Sequence, residues 1–405
     1  MIRFIHTADL HFGVENYGKI DPKTGIHTRL LDFENAFNHC IDTAIQENVD
    51  FFLFCGDAYK TAHPSPTQQK TLLCSFFKLY EAHIPVVIIV GNHDHPLSFG
   101  KAHALELFST LPVNGFHVFH KPDKIILQTN NGPIQIIGIP WPTRNTLMLN
   151  NDGQSSNEIT KQISARVGKL IQSLTQELDQ QIPAILAAHL TISTGTFSGS
   201  EKRAIYGSDP VFLPSQFALE PFDYVALGHL HRHQSLNTTS YPPIVYSGSV
   251  ERIDFGERNE DKGFCLVSIE EKGKTNYNFI KTPTRPFLQI DVQLNETENQ
   301  TEQILRKIKE YNIENAVVKI LYHIPSNKND YVDIKSIQKA CITAHYLVGI
   351  IPIKTIVSRE RRSIVQTDMN LEQLLREYFK QKPEWKEKTG HLIDRVKKLM
   401  NEMEE

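Results

Sequence analysis

The chain has 405 residues and a formal net charge of −3 at pH 7. This length allows two or three domains, and the charge gives no global signal for nucleic-acid binding, so any basic surface must be local. No apolar run reaches the ~18 residues that a membrane-spanning helix requires, so we expect no membrane span. The five cysteines are scattered without a Cys-x-x-Cys pair, which favours buried thiols in a reducing, cytoplasmic compartment over disulfides or a thiolate zinc site.

The first ninety residues repeat a pattern of strand, loop and helix. Apolar, β-prone runs predict buried strands at residues 3–7, 51–55 and 85–90, and helical periodicity predicts helices over 28–48 and 67–82. Such an alternation predicts parallel pairing, right-handed crossovers and helices on the faces of the sheet.

The pattern changes after residue 115. Asn130-Asn131-Gly132 is a hairpin signal, a helix is predicted over 158–180, and strands are predicted at 183–188 and 223–227. Three further runs complete a second, more antiparallel set of strands: 244–247, 263–269 and 276–280. We expect two sheets packed together, with helices outside, in a domain of residues 1–282.

The remaining chain divides into three segments. Residues 282–286 are rich in Pro and Thr and indicate a linker, and 285–357 predict a small α+β domain. A charged stretch at 358–368 indicates a second linker, and 369–405 carry two apolar stripes at helical spacing. A short helix pair that follows a charged linker favours packing on another protein over packing on its own domain.

Five polar stretches each follow one of the buried strands. They are Asp9-Leu10-His11, Gly56-Asp57, Gly91-Asn92-His93-Asp94, His189 and Gly228-His229-Leu230-His231. Any one of them alone is ordinary loop chemistry. If the strands are neighbours in one sheet, however, their carboxyl ends meet at one edge and bring these side chains within a few ångströms of one another.

These residue types favour a pair of metal ions. A mixed nitrogen and oxygen set without sulfur suits Mn²⁺, Fe or Zn better than Ca²⁺. Asp57 can bridge two cations because an ionised carboxylate has two oxygens, and Asn92 offers a neutral oxygen. Two such cations can clamp a phosphate and lower the pKa of a water to about 7. His93 is the predicted acid or hydrogen-bond donor to the leaving oxygen, with Asp94 orienting it.

In these motifs the sequence resembles the calcineurin-like metallophosphoesterases, motif by motif. More closely, it resembles the SbcD family, the nuclease subunits of bacterial SbcCD complexes. Three further features carry that resemblance: the opening Ile5-His6-Thr7-Ala8-Asp9-Leu10-His11, then Pro64-Ser65-Pro66, and Tyr246-Ser247-Gly248-Ser249. The resemblance covers the whole chain and is weaker after about residue 285.

The resemblance implies a fold of the α+β or α/β class, with a metallophosphoesterase β-sandwich flanked by helices. It also implies a small α+β DNA-capping domain over 285–357 and C-terminal helices over 369–405. It implies two divalent cations, with Mn²⁺ preferred, and His93 as the catalytic histidine. One metal would be held by Asp9, His11, Asp57 and His231. The other would be held by Asp57, Asn92, His189 and His229.

The activity that the resemblance implies is that of a DNA-repair nuclease: a 3′–5′ double-strand exonuclease and an endonuclease on DNA ends and hairpins. The implied assembly is a homodimer within a heterotetramer, docked by its C-terminal helices to a coiled-coil ATPase and associated with the nucleoid. Lys60 stands where some relatives carry a histidine, with His63 nearby. Both are candidate phosphate contacts.

Two other classes of protein remain open. One is a small-molecule phosphodiesterase or protein phosphatase of the same fold, because a fold and a metal pair do not determine the substrate. The other is a non-catalytic scaffold that recruits the ATPase. The small domain and the terminal helices speak against the first, and the full ligand set with His93 speaks against the second.

Overall fold

The computed structural model describes most of the chain. The described residues are 1–96, 101–110, 112–143, 147, 155–199, 209–237, 240–325, 329–354, 371–380 and 388–404. They form two compact units. The first consists of Met1–Ile290, Ile308–Lys319 and Gln338–Gly349, and the second of Asp291–Lys307, Ile320–Ile337 and Ile350–Glu405. The predicted linker at 358–368 lies outside the described residues, and the predicted domain boundaries stay predictions.

The strands follow the predicted apolar runs, mostly to within one or two residues. In chain order they are β1 (Ile2–Thr7), β2 (Phe51–Phe54), β3 (Val86–Ile89), β4 (Phe116–Phe119), β5 (Asp123–Thr129), β6 (Gly132–Ile139), β7 (Ala184–His189), β8 (Thr191–Ile192), β9 (Val211–Phe212), β10 (Tyr224–Gly228), β11 (Gln234–Ser235), β12 (Ile244–Tyr246), β13 (Gly263–Glu271), β14 (Lys274–Lys281), β15 (Phe287–Gln293), β16 (Val317–Ile324) and β17 (Tyr346–Lys354).

The helices include a short one at 106–110 that was not predicted, whereas the others begin close to the positions that their periodicity predicts. They are α1 (Thr28–Gln46), α2 (Pro66–Glu81), α3 (Glu106–Thr110), α4 (Ser156–Gln176), α5 (Gln300–Ile308), α6 (Ile334–Ala340), α7 (Leu371–Lys380) and α8 (Thr389–Glu404). Among the described helices, none is long and apolar enough to cross a membrane.

One six-stranded sheet contains the strands of the first ninety residues. Its order is β14-β13-β1-β2-β3-β4. β1, β2 and β3 are parallel as predicted, and β4 runs parallel to β3. β13 runs antiparallel to β1, with Ile2 opposite Ile269. Our assignment of the runs at 263–269 and 276–280 to the second sheet was therefore wrong. An apolar run shows that a strand is buried, but it does not show which sheet edge the strand joins.

The second six-stranded sheet has the order β11-β12-β10-β7-β6-β5. β12, β10, β7 and β6 are parallel, and only the edge strands β11 and β5 are antiparallel. The expectation of a more antiparallel sheet was wrong. Both faces of β7 and β10 are buried, which is typical of parallel strands covered on both sides.

The two sheets pack face to face, as predicted. Apolar side chains of both sheets fill the layer between them, including Phe4 and Val87 from one sheet and Ile185 and Val245 from the other. α1 and α2 cover the outer face of the first sheet, and α4 covers the outer face of the second. This is a β-sandwich flanked by helices. A third sheet has the order β15-β16-β17.

Four of the five cysteines are buried, as their apolar surroundings predict. The buried thiols are Cys40, Cys55, Cys265 and Cys341, and Cys74 is exposed. All five are free thiols.

Candidate metal centre

The predicted site residues lie where strands of both sheets end. Asp9 and Asp57 follow β1 and β2 of the first sheet, whereas His189 ends β7 and His229 follows β10 of the second. β7 and β10 are parallel neighbours, with His189 opposite Gly228. The expectation of a single sheet edge was wrong, because the two halves of the site come from facing sheets.

The side chains converge into three overlapping groups of possible metal donors. In each group the donor atoms lie within 4.8 Å of one another: Asp9, His11 and His231; His11, Asp57 and His93; Asp57, His189 and His229. Asp57 belongs to two groups, with its Oδ2 3.6 Å from His11 Nε2 and 3.4 Å from His189 Nε2. This is the position that a bridging carboxylate requires.

Asn92 completes the set. Its Oδ1 lies 3.0 Å from His189 Nε2 and 3.1 Å from His229 Nδ1. The structure thus brings all seven predicted ligands together, and their ligation of metal stays a prediction.

The backbone at the site adopts conformations that are rare for residues with side chains. Asp9, His11, Asp57 and His229 have φ values of 54°, 49°, 56° and 101°. Strain of this kind persists only where surrounding contacts impose it, and it concentrates at functional sites. One such contact is from His229 N to Asp9 Oδ1, at 3.0 Å.

Gly56 permits a close approach between the two sheets. A Cβ at this position would lie 2.4 Å from His189 Nδ1, and its φ is +91°. The glycine of the Gly56-Asp57 motif is therefore required both for its conformation and for space.

Two of the histidines are oriented by main-chain carbonyls. His189 Nδ1 donates to Cys55 O at 2.7 Å, and His93 Nδ1 donates to Lys60 O at 2.8 Å. A carbonyl oxygen can only accept, so each ring carries a proton at Nδ1 and directs Nε2 elsewhere. The side chain of His93 is exposed, unlike that of His189.

Asp94 does not orient His93 as we predicted. Its fully buried carboxylate accepts four main-chain N–H groups, from Asp57 (3.0 Å), Gly91 (3.1 Å), Ala58 (3.1 Å) and Tyr59 (3.3 Å). Asp94 thus holds the loop that carries Asp57, while a main-chain carbonyl holds His93. Four converging N–H groups are a stronger attraction for a carboxylate than a single imidazole.

His231 is held by a carboxylate instead of a carbonyl. Its Nδ1 lies 2.9 Å from Glu257 Oε1, and Lys262 Nζ lies 2.8 Å from Glu257 Oε2. Burial by itself would raise the pKa of Glu257, but Lys262 and His231 outweigh it and lower the pKa to about 2. Glu257 is therefore ionised and can only accept.

The electrostatics of the cluster fit cations. Burial raises the pKa of Asp9 to about 7 and lowers that of His229 to about 3. Burial would also lower the pKa of His189, but the Asp57 carboxylate raises it to about 9. Carboxylates and imidazoles packed this tightly in a buried site are costly unless opposite charge compensates the carboxylates. A sulfur-free N/O set of this kind fits a pair of divalent metal ions.

Three residues near the centre were missed by the sequence analysis. The Trp141 ring lies 4.9 Å from that of His229, and Asp209 Oδ2 lies 3.7 Å from His229 Nε2. Glu257 is the third. No motif spacing links them to the ligands, since they reach the site only through tertiary packing. The candidate DNA contacts Lys60 and His63 have side chains on the segment that follows Asp57, and that of Lys60 is exposed.

Comparison with known proteins identifies the family. The model of the calcineurin-like phosphoesterases matches residues 2–233, more than half of the chain, and this match includes all seven predicted ligands. The chain therefore belongs to the calcineurin-like phosphoesterase family. Metal-dependent hydrolysis of phosphoesters is the class of activity that this family suggests for it.

One curated relative and two solved structures are similar to this chain. The Bacillus subtilis protein named "Uncharacterized metallophosphoesterase YhaO" is 29% identical over 306 residues, which are 74% of this chain and 65% of that relative. A dimetal phosphatase from Danio rerio has a TM-score of 0.43 at 10% identity, covering 69% of this chain and 98% of its own. The protein TT1561 of Thermus thermophilus has a TM-score of 0.38 at 11% identity, with the same coverage. The family assignment rests on the sequence match.

Proposed function

We propose that this protein is a DNA nuclease that uses two divalent metal ions, Mn²⁺ being preferred. It acts as a 3′–5′ exonuclease on double-stranded DNA and as an endonuclease on DNA ends and hairpins. The observation that carries the hydrolytic part is the place of Asp57 in two donor groups, one with His11 and one with His189. A carboxylate that lies between two sets of donors can bridge two cations, and such a pair of cations can clamp a phosphate.

Two divalent cations bound here would supply a water of lowered pKa and would neutralise the charge of the phosphate. The seven predicted ligands would hold them, with His93 beside them. The His93 ring lies 4.9 Å from that of His11. Since Nδ1 donates to Lys60 O, the proton that His93 exchanges is at Nε2. With both ring nitrogens protonated, His93 gives the Nε2 proton to the leaving oxygen and keeps the Nδ1 proton that Lys60 O accepts.

DNA as the substrate is supported by the resemblance to the SbcD family. The supporting features are the opening motif through His11, the Pro64-Ser65-Pro66 and Tyr246-Ser247-Gly248-Ser249 stretches, and the further strands and helices after β14. The exposed Lys60 side chain is a phosphate contact in this proposal, since a repair nuclease must act on any sequence.

The test compares wild-type protein with His93→Ala on a linear DNA duplex in the presence of Mn²⁺. We expect Mn²⁺-dependent cleavage by the wild type and a loss of about 10²–10⁴-fold in His93→Ala. Mn²⁺ binding, measured by calorimetry, should change little. His83→Ala, which removes an exposed histidine that follows α2, is the matched control and should cleave normally.

Two results would contradict the proposal in different ways. Intact DNA together with hydrolysis of a small phosphodiester would show that the metal centre is right and the substrate class wrong. Unchanged cleavage by His93→Ala would remove His93 from the chemistry.

The partner in this proposal is a coiled-coil ATPase that binds α7 and α8. The described parts of this segment are two short helices joined by the Glu372–Lys397 ion pair at 2.7 Å, and Tyr378 is 54% exposed. Deletion of residues 369–405 should abolish ATPase binding and ATP-linked activity while simple Mn²⁺-dependent cleavage remains. A stand-alone phosphodiesterase would show no effect of the deletion in any of these assays.

A further inference from the structure

We propose that Glu257 is a positioning residue that determines which nitrogen of His231 faces the metal centre. This inference rests on the two-metal part of the proposed function. His231 Nδ1 lies 2.9 Å from Glu257 Oε1, and the Glu257 side chain is fully buried. Because Glu257 Oε2 pairs with the Lys262 ammonium, its Oε1 accepts from the ring, so a His231 proton sits at Nδ1 and the lone pair of the neutral ring lies at Nε2.

The other ring nitrogen of His231 points to the donor group. His231 Nε2 lies 3.2 Å from His11 Nε2, and both residues share a donor group with Asp9. The effect of Glu257 therefore falls on the metal held by that group. The group formed by Asp57, His189 and His229 does not include His231.

Glu257 is itself fixed on its far side. Its Oε2 accepts from Lys262 Nζ at 2.8 Å and from Ile253 N at 2.9 Å. Lys262 is fully buried too, and its Nζ donates to the main-chain oxygen of His231 at 3.0 Å. The Glu257–Lys262 pair thus holds both the ring and the backbone of one ligand.

The carboxylate also distinguishes this histidine from its neighbours. His189 and His93 donate to neutral carbonyl oxygens, whereas His231 donates to an ion. A charge-assisted hydrogen bond is stronger than a neutral one and makes the imidazole a more basic ligand.

Replacement of Glu257 by glutamine should reverse the His231 tautomer. Lys262 Nζ and Ile253 N are both donors, so the amide oxygen must turn toward them. The amide NH₂ then faces His231 Nδ1, which becomes an acceptor, and the proton moves to Nε2. A protonated Nε2 cannot bind a cation.

The test measures Mn²⁺ binding by calorimetry for wild type, Glu257→Gln and the matched control Glu260→Gln. Glu260 shares Lys262, with its Oε2 3.1 Å from Nζ, and within the described residues no hydrogen bond joins it to His231. We expect Glu257→Gln to weaken one of two Mn²⁺ sites about 10–100-fold. Glu260→Gln should stay within about twofold of wild type.

A second readout reports the tautomer without metal. In metal-free protein labelled with ¹⁵N-histidine, the His231 signals, assigned by their absence in His231→Gln, should show protonated Nδ1 in wild type. They should show protonated Nε2 in Glu257→Gln. A role limited to neutralising Lys262 would leave these signals unchanged. If Glu257→Gln does not fold, the double variant Glu257→Gln/Lys262→Met, which removes both charges, is used in place of the single variant. Both measurements are then made on the double variant.

Three outcomes separate this inference from the proposed function. A folded variant with wild-type Mn²⁺ affinity and an unchanged His231 tautomer overturns the role of Glu257 alone. A wild-type protein that binds no Mn²⁺ overturns the metal centre on which both rest. If the Mn²⁺ affinities and the His231 tautomers are as expected but the wild-type protein does not cleave DNA, only the nuclease proposal is overturned.

Discussion

At the scale of single residues, polar side chains at this site work through main-chain groups as much as through each other. Asp94 adjoins His93 in sequence, yet its carboxylate binds the N–H groups of the segment that contains Asp57. Asp57, whose N–H Asp94 accepts, has a positive φ. Residues that a motif places side by side can therefore serve different parts of the site.

Asp94→Asn should destabilise the protein by about 2–3 kcal/mol. Oδ1 and Oδ2 each accept two N–H groups, so either orientation of the amide leaves a buried pair without an acceptor. The measurement is urea unfolding of metal-free protein. Asp261→Asn, at an exposed carboxylate paired with Lys281, should change stability by less than about 0.5 kcal/mol. Equal stability of Asp94→Asn and wild type would show that these bonds contribute nothing.

At the scale of elements, one of the stretches that carry the family resemblance also has a local structural role, because it begins a helix. In Pro64-Ser65-Pro66, Ser65 is the N-cap of α2 and Pro66 is its first residue. The Ser65 side chain accepts from Gln68 N, and Ser65 N donates to Gln68 Oε1. This capping box fixes where α2 begins and where the segment after Asp57 ends.

Ser65→Ala should lower the free energy of unfolding by about 1 kcal/mol, because Gln68 N loses its acceptor at the start of α2. Thr67→Ala, two residues further along the same exposed turn, keeps the capping box and is the matched control. Chemical denaturation of the two variants measures the difference. If both lose the same stability, the cap is not the cause.

At the scale of the whole molecule, a buried ionic network fixes the segment that we predicted as a linker at 282–286. Arg285 Nε donates to Asp32 Oδ2 at 2.9 Å, and Arg29 Nη1 donates to the same oxygen at 2.8 Å. Arg252 donates to Thr284 Oγ1 at 2.6 Å. All of these residues belong to the first unit, so the segment is held against α1 and is not a free tether.

Asp32→Ala should cost about 3–5 kcal/mol, because it removes the carboxylate that both the buried Arg29 and the largely buried Arg285 contact. Asp42→Ala, on the same helix, removes a carboxylate that is 54% exposed and 4.0 Å from Lys78 Nζ. It should cost less than about 1 kcal/mol. Thermal and urea unfolding of both variants measure these losses, and similar losses for the two would rule out the network as a major contribution.

The sequence by itself predicted the longer helices, most strands and the seven ligand candidates of the site. Periodicities of 3.6 and 2 residues, and polar side chains at the ends of buried strands, are local signals that need no knowledge of the fold. Each of the seven predicted ligands ends or follows a strand whose position could be read from the sequence.

Only the tertiary structure decided which strands are neighbours and what surrounds each ligand. β13 pairs with β1 across more than 250 positions, and Glu257 reaches His231 across 26. Such pairs leave no periodic or local trace, because packing and the shared burial of charge bring them together. For the same reason, Asp94 could be located from its motif, while its partners could be found only in the folded chain.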